Sequence, residues 1–166
     1  MGKKILVAYA SRCGSTAEVA DTVGETLRQA GHDVEVKSVK QVKDAAAYQA
    51  IIIGGAARMF HLLPEAVKFA HKNSTALAKV PTAYFMVGLM LKDATVDNLS
   101  KADAMLNKLR AIRQPVDTAL FAGKLDIAKL KQPWRFFFRK NTEIAEGDFR
   151  DWEAIRKWAE ELADKL

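Results

Sequence analysis

At 166 residues the chain is long enough for one domain with its own hydrophobic core, and 49% hydrophobic with 28% charged residues is an ordinary globular balance. A single cysteine excludes an internal disulfide framework and suits a reducing, cytoplasmic setting. The net charge of +6 favours anionic partners such as phosphates, carboxylates or anionic lipid, but without zinc spacing, an RNA-binding signature or a helix-turn-helix pattern, nucleic acid is not an expected partner.

"KKILVAYA", ending at Ala10, is a short apolar run of the kind that forms a strand buried on both faces. From Thr16 the apolar residues Val19, Ala20, Val23, Leu27 and Ala30 follow helical spacing, and Gly31 is a natural stop. "DVEVKSV" alternates Val34 and Val36 with charged residues, as a strand nearer the sheet edge does. "YQAIIIGGA" predicts a central strand that ends in glycines, and Pro64 opens a helix through "PEAVKFAHKN". "PTAYFMVG" predicts a further buried strand. One helix is expected over Thr95–Ile112, capped by Thr95 or Asp97. "DTALFAG" predicts the fifth strand, and a closing helix places Trp152, Ile155, Ala159 and Leu162 on one face.

Strands alternating with helices argue for a doubly wound α/β domain: a five-stranded parallel sheet with helices on both faces. In the order 2-1-3-4-5 the first strand sits at the reversal of strand order, where ligands bind beyond the strand ends. The loop "SRCGST" leaves that strand. Ser11, Ser15 and Thr16 bring hydroxyls, Gly14 allows a tight turn, and the N–H groups at a helix start attract an anion. A phosphate is the expected ligand. Neither GxxxxGK[ST] nor GxGxxG is present, so a nucleotide-hydrolysing P-loop and a dinucleotide fingerprint are excluded.

These residues resemble the flavodoxin-like family of FMN-binding proteins. "YASRCGST" is similar to the family's phosphate loop, "IIIGGAARMFHLLPEAVKFAHKN" to its second flavin loop and the following helix, and "YFMVGLMLKD" to its third. "LFAGKLD" and "EGDFRDWEAIRKWAEEL" resemble the subgroup that includes menaquinone-dependent protoporphyrinogen oxidase. The resemblance implies a single flavodoxin-like domain over residues 1–166, with an insertion around 124–147. It also implies that Ser11, Arg12, Cys13, Gly14, Ser15 and Thr16 surround the phosphate of FMN. Ala57, Arg58, Met59 and Phe60 would line one side of the isoalloxazine, and Val87, Gly88, Leu89 and Met90 its other face and polar edge.

Three departures qualify the likeness. Cys13 stands where many flavodoxins carry a threonine, no aromatic lies within Gly88–Lys92 to stack on the ring, and the chain is basic where conventional flavodoxins are acidic. The basic charge favours an enzyme that exchanges electrons with an anionic or lipophilic substrate and a quinone. The alternatives are a one-electron carrier docking on redox partner proteins, and a flavin-free binding module. "PWRFFFRK" within the insertion is expected either to fill the core, Phe137 in particular, or to expose Trp134 and Phe138. In the second case Trp134–Lys140 would meet an anionic membrane surface, placing a cytoplasmic protein at the inner face of the membrane. Cys13 reads as a small turn residue, His61 as an exposed loop residue, and no spacing predicts a metal.

Overall fold

A computed structural model describes residues 2–140 and 146–166 of the chain. Five parallel strands form the sheet: β1 (Lys4–Ala10), β2 (Asp33–Ser38), β3 (Ala50–Arg58), β5 (Thr82–Gly88) and β6 (Asp117–Ala122). Their order is β2-β1-β3-β5-β6, the predicted 2-1-3-4-5 arrangement, and β4 (His61–Leu62) adds a short antiparallel return on β3. The apolar runs form strands because their alternate residues meet a helix layer on each side. In β3, Ile51 and Ile53 face one core while Ile52 faces the other.

One layer packs α1 (Ser15–Gln29) and α7 (Trp152–Ala163) against Val7, Ile52 and Phe85. Phe85, Phe121 and Trp158 meet there in tilted or edge-on contacts, with centroids 5.7–6.2 Å apart. Such pairs contribute about 0.5–1.5 kcal/mol beyond their buried area. Gly54 makes room for this cluster, because a Cβ there would lie 2.0 Å from the Phe85 ring. Ile155, Ala159 and Leu162 are fully buried as the helical spacing predicts, with Trp152 half-buried beside them.

The other layer holds α2 (Pro64–Lys72), α3 (Ser74–Leu77), α4 (Val96–Met105) and α5 (Asn107–Arg110). The single helix expected over 95–112 is therefore two. At the break Leu106 N–H bonds to Asp103 O and Leu109 N–H to Leu106 O, both at 3.0 Å. This three-residue bonding tightens the chain and turns Leu106 and Leu109 together into the core. Thr95, rather than Asp97, caps α4 by accepting from Asn98 N–H at 3.1 Å. Asp97 pairs instead with Lys101, one turn on.

The segment 124–147 begins and ends at one place. β7 (Lys124–Leu125) pairs antiparallel with β8 (Gly147–Asp148), so the insertion leaves and rejoins the fold at a common stem. Its described residues form a short 3-10 turn at Ile127–Lys129 and the helix α6 (Trp134–Lys140); residues 141–145 lie outside the described part. Arg150, with a side chain only 3% exposed, locks the stem to the first turn of α1. It donates twice to the Asp148 carboxylate, at 2.9 and 2.7 Å, and reaches Ser15 O at 3.3 Å and Glu18 at 3.2 Å. Its guanidinium also stacks on Trp152 at 4.5 Å.

These bonds hold the Asp148 carboxyl down at about 2, chiefly through hydrogen bonds from the Arg150 side chain. Its ordinary value is about 3.9, so the stabilisation is complete above that pH and is lost as pH falls towards about 2. Asp148 is partly exposed, which screens the effect. Asp148→Asn is therefore expected to be less stable than the parent protein at neutral pH. In urea titrations the gap should close between about pH 4 and about pH 2. A gap constant over that interval would show that Asp148 does not stabilise the fold as a carboxylate.

Candidate functional site

At the C-terminal end of β1 the chain turns sharply. Gly14 takes φ 88°, a left-handed conformation suited to glycine, and α1 begins at the next residue. A Cβ at Gly14 would meet nothing within 4 Å, so backbone conformation and not crowding demands glycine. Ser11 Oγ accepts from Gly14 N–H at 3.0 Å, which fixes the loop and leaves the hydroxyl proton of Ser11 to donate elsewhere.

The first intrahelical bond of this turn runs from Glu18 N–H to Gly14 O at 3.2 Å. The N–H groups of Ser15, Thr16 and Ala17 precede it and have no carbonyl in the helix. Thr16 is fully buried, and its Oγ1 has no hydrogen-bond partner among the described residues. A buried hydroxyl without a partner costs about 1–3 kcal/mol. Orphaned N–H groups, an orphaned hydroxyl and the positive end of a 15-residue helix occur together in this one turn. That is a donor set for an oxyanion. Glu18 would oppose an anion from the same turn, and Arg150 offsets it at 3.2 Å.

Beside this cradle lies a cavity of about 380 Å³, lined by residues of the β1, β3 and β5 loops and of the insertion. The size is within the usual range for small-molecule sites. Ser11, Arg12, Cys13 and Ser15 line it, as do Ala57, Arg58, Met59 and Phe60, and Val87, Gly88, Leu89 and Met90. The three expected loops thus converge. Gly14 and Thr16 stand behind the wall, in the turn itself. Arg12 is not a free cation here, because it pairs with Glu65 at 2.6 Å and straps the loop to the first turn of α2.

The loop after β5 is pinned through its backbone carbonyls. Gly123 N–H donates to Gly88 O at 3.1 Å, and Asn98 Nδ2 donates to Met90 O at 3.1 Å. After β3 the chain reverses in a two-residue hairpin, with Arg58 opposite His61. Met59 and Phe60 at its tip have φ 51° and 62°, which non-glycine residues rarely adopt. Both tips are apolar yet 63% and 70% exposed. Strained, exposed apolar residues beside a cavity mark a surface shaped for contact. His61 lies outside the large cavity, in a smaller groove of about 190 Å³ against α4 and α5.

The insertion builds the remaining wall. Leu125, Leu130, Trp134 and Phe138 all line the cavity, and Trp134 stacks under the Arg58 guanidinium at 4.8 Å. Trp134 and Phe138 are four apart on α6, so they share one face. The two expectations for "PWRFFFRK" are therefore reversed. Phe137 does not fill the core but is 55% exposed, with Phe136 at 57%, while Trp134 and Phe138 turn inward. The aromatic surface missing from Gly88–Lys92 is supplied from the insertion. Sequence reasoning also missed Arg150, whose isolated position gives no pattern to read. No three His, Cys, Asp or Glu residues gather to hold a metal among the described residues.

An anion cradle opening on a flat apolar slot fits a ligand with a phosphate at one end and a ring system at the other. Comparison with known proteins agrees with this geometry. Escherichia coli K12 protoporphyrinogen IX dehydrogenase [quinone] is 24% identical over 96% of this chain and 94% of its own length. Two solved structures share the fold: Megasphaera elsdenii flavodoxin, with TM-score 0.62 and 16% identity over 96% of this chain and 98% of that one, and Bacillus cereus flavodoxin 1, with 0.60 and 18% over 98% and 99%. The flavodoxin domain profile matches residues 6–151, and the chain belongs to that family.

Proposed function

We propose that this protein is an FMN-dependent oxidoreductase that passes electrons between a tetrapyrrole-like or other organic substrate and a quinone. The observation that carries the reading is the wall built by Leu130, Trp134 and Phe138. It gives the slot an enclosed apolar side where an organic molecule can lie against a ring, instead of leaving that side open for protein docking. The full-length likeness to a protoporphyrinogen dehydrogenase supports the same reading.

FMN supplies the redox chemistry when bound. The chain's part is to hold, orient and enclose. Ser11, Ser15 and Thr16 would donate hydroxyls to the phosphate, and the N–H groups of Ser15, Thr16 and Ala17, which have no carbonyl in the helix, would add to them. Ala57, Arg58, Met59 and Phe60 would pack one side of the ring, and Val87, Gly88, Leu89 and Met90 the other. Trp134 and Phe138 exclude water from the space beside it. A carrier docking on redox partner proteins is the second reading, favoured by the exposed tips Met59 and Phe60.

Turnover separates the two. Anaerobic addition of protoporphyrinogen to the FMN-loaded protein should bleach the flavin absorbance, and a menaquinone analogue should restore it. Failure of both steps, with rapid exchange to a redox protein, would replace the enzyme with the carrier.

The cradle is tested by Ser11→Ala with Thr16→Ala. Each lost bond to the charged phosphate weakens FMN binding by about 1.5–3 kcal/mol. Riboflavin, which lacks the phosphate, should bind the variant as it binds the parent. An unchanged FMN affinity would remove both hydroxyls from the phosphate site.

No described helix is long and apolar enough to cross a membrane. Association with an anionic membrane surface belongs to the same proposal, through the exposed Phe136 and Phe137 beside Arg139 and Lys140. Phe136→Ser with Phe137→Ser should reduce co-sedimentation with phosphatidylglycerol vesicles. Equal sedimentation of parent and variant would sink that part of the reading.

A further inference from the structure

We infer that Arg58 is a specificity residue of the cavity, which recognises a carboxylate carried by a flat, apolar substrate lying against Trp134 and Phe138. The inference rests on the organic-substrate reading above and names the chemistry that reading leaves open.

The lining holds three cations, Arg12, Arg58 and Lys124, and no carboxylate. Arg12 is taken by Glu65 at 2.6 Å. Lys124 lies opposite Asp148 across the stem of the insertion. Arg58 has neither an ion pair nor a side-chain hydrogen bond among the described residues. Among the described residues its specific contact is the face of Trp134, 4.8 Å from the guanidinium carbon to the ring centroid.

That contact leaves a particular kind of group available. Attraction to an aromatic face engages the flat side of a guanidinium and leaves its N–H edges to donate. The fork of two parallel N–H groups matches a carboxylate. The surroundings are apolar, since Met59, Leu130, Trp134 and Phe138 also line the space. A carboxylate entering such a space loses water, and only a paired cation with directed hydrogen bonds offsets that loss. A neutral flat molecule would gain from Trp134 and Phe138 but would leave Arg58 desolvated and without an acceptor. The site therefore selects an apolar ring system with an acidic group at its edge. Arg58 is also fixed from behind, because it closes β3 and faces His61 across the hairpin.

Protoporphyrin as the free acid and as its dimethyl ester separates the two contributions, because the ester keeps the ring and removes the charge. Binding to the FMN-loaded protein is read by quenching of tryptophan fluorescence. The parent protein should prefer the acid by at least about tenfold, as one charge-assisted hydrogen bond of about 1.5 kcal/mol requires. Arg58→Gln should bind acid and ester alike, with ester affinity near the parent value. Arg58→Lys should recover only part of the preference. Far-ultraviolet circular dichroism and the thermal midpoint of each variant confirm that it is folded.

A parent protein without acid preference, or Arg58→Gln with the preference intact, overturns the inference while leaving the tetrapyrrole reading in place. If neither porphyrin binds, the tetrapyrrole reading falls, and the same comparison with pyrenebutyrate and its methyl ester decides Arg58 alone. A preference lost in Arg58→Gln upholds the residue's role, and an absent preference ends it.

Discussion

Buried polar groups must find partners, and this constraint organises the first turn of α1. Thr16 Oγ1 and the N–H groups that precede the Glu18–Gly14 bond are donors that the protein itself does not satisfy. Left unmet they cost the fold about 1–3 kcal/mol for each fully buried group. An oxyanion that meets several at once therefore gains binding free energy from groups already desolvated and fixed in place. The left-handed turn at Gly14 creates this arrangement by starting the helix immediately after the loop. The sheet order places it where the strands on either side diverge.

The same turn is tied to the far side of the cavity. Arg150 bonds to Ser15 and Glu18 in α1 and to Asp148 in the stem of the insertion, so one buried side chain spans both. Arg12 and Glu65 make a second tie, from the loop to α2. The anion cradle and the aromatic wall are thus held in register through charged hydrogen bonds as well as apolar packing. The stem is short, two residues on each strand, and without Arg150 it would depend on little more than its own ladder. Breaking such a buried charge cluster from one side leaves its partners unpaired, which costs more than the cluster's net contribution to stability.

Much of this was legible in the sequence, for physical reasons. Long apolar runs such as Ile51–Ile53 can only be buried on both faces, so they predict central strands and the doubly wound sheet. The first loop followed from where its strand ends, and the other two from the resemblance to flavodoxin-like proteins. Local pattern was insufficient where tertiary contact decides. The tightening at Leu106 is set by how two leucines reach one core. The outward turn of Phe137 depends on which face of α6 meets the cavity, and three adjacent aromatics give no such direction. Spacing did contain the answer for Trp134 and Phe138, which share a helix face, but only once a helix is assumed. The role of Arg150 carried no signal, because its partners across the cavity, Glu18 and Ser15, lie 132 and 135 residues away and the neighbouring Asp148 alone does not point to them.

The electrostatics of the cavity bear on what kind of flavoprotein this chain can be. A carrier of low-potential electrons needs surroundings that resist negative charge on the reduced ring. Here the lining holds three cations and no carboxylate, and the chain carries a net charge of +6. Arg12 is paired with Glu65, and Lys124 lies opposite Asp148 in the stem, while Arg58 has no ion pair among the described residues and adds its positive charge to the cavity. At about 4 Å, a unit charge is worth about 1 kcal/mol in water and about 4 kcal/mol at the effective dielectric of a protein surface. The walls supplied by Trp134 and Phe138 move the site away from the first value by excluding water. Such surroundings would favour negative charge in the cavity, which supports the proposed reading of a flavin that accepts electrons from an organic donor. The aromatic wall is then more than a cover, because it raises the electrostatic effect of the one cation stacked upon it.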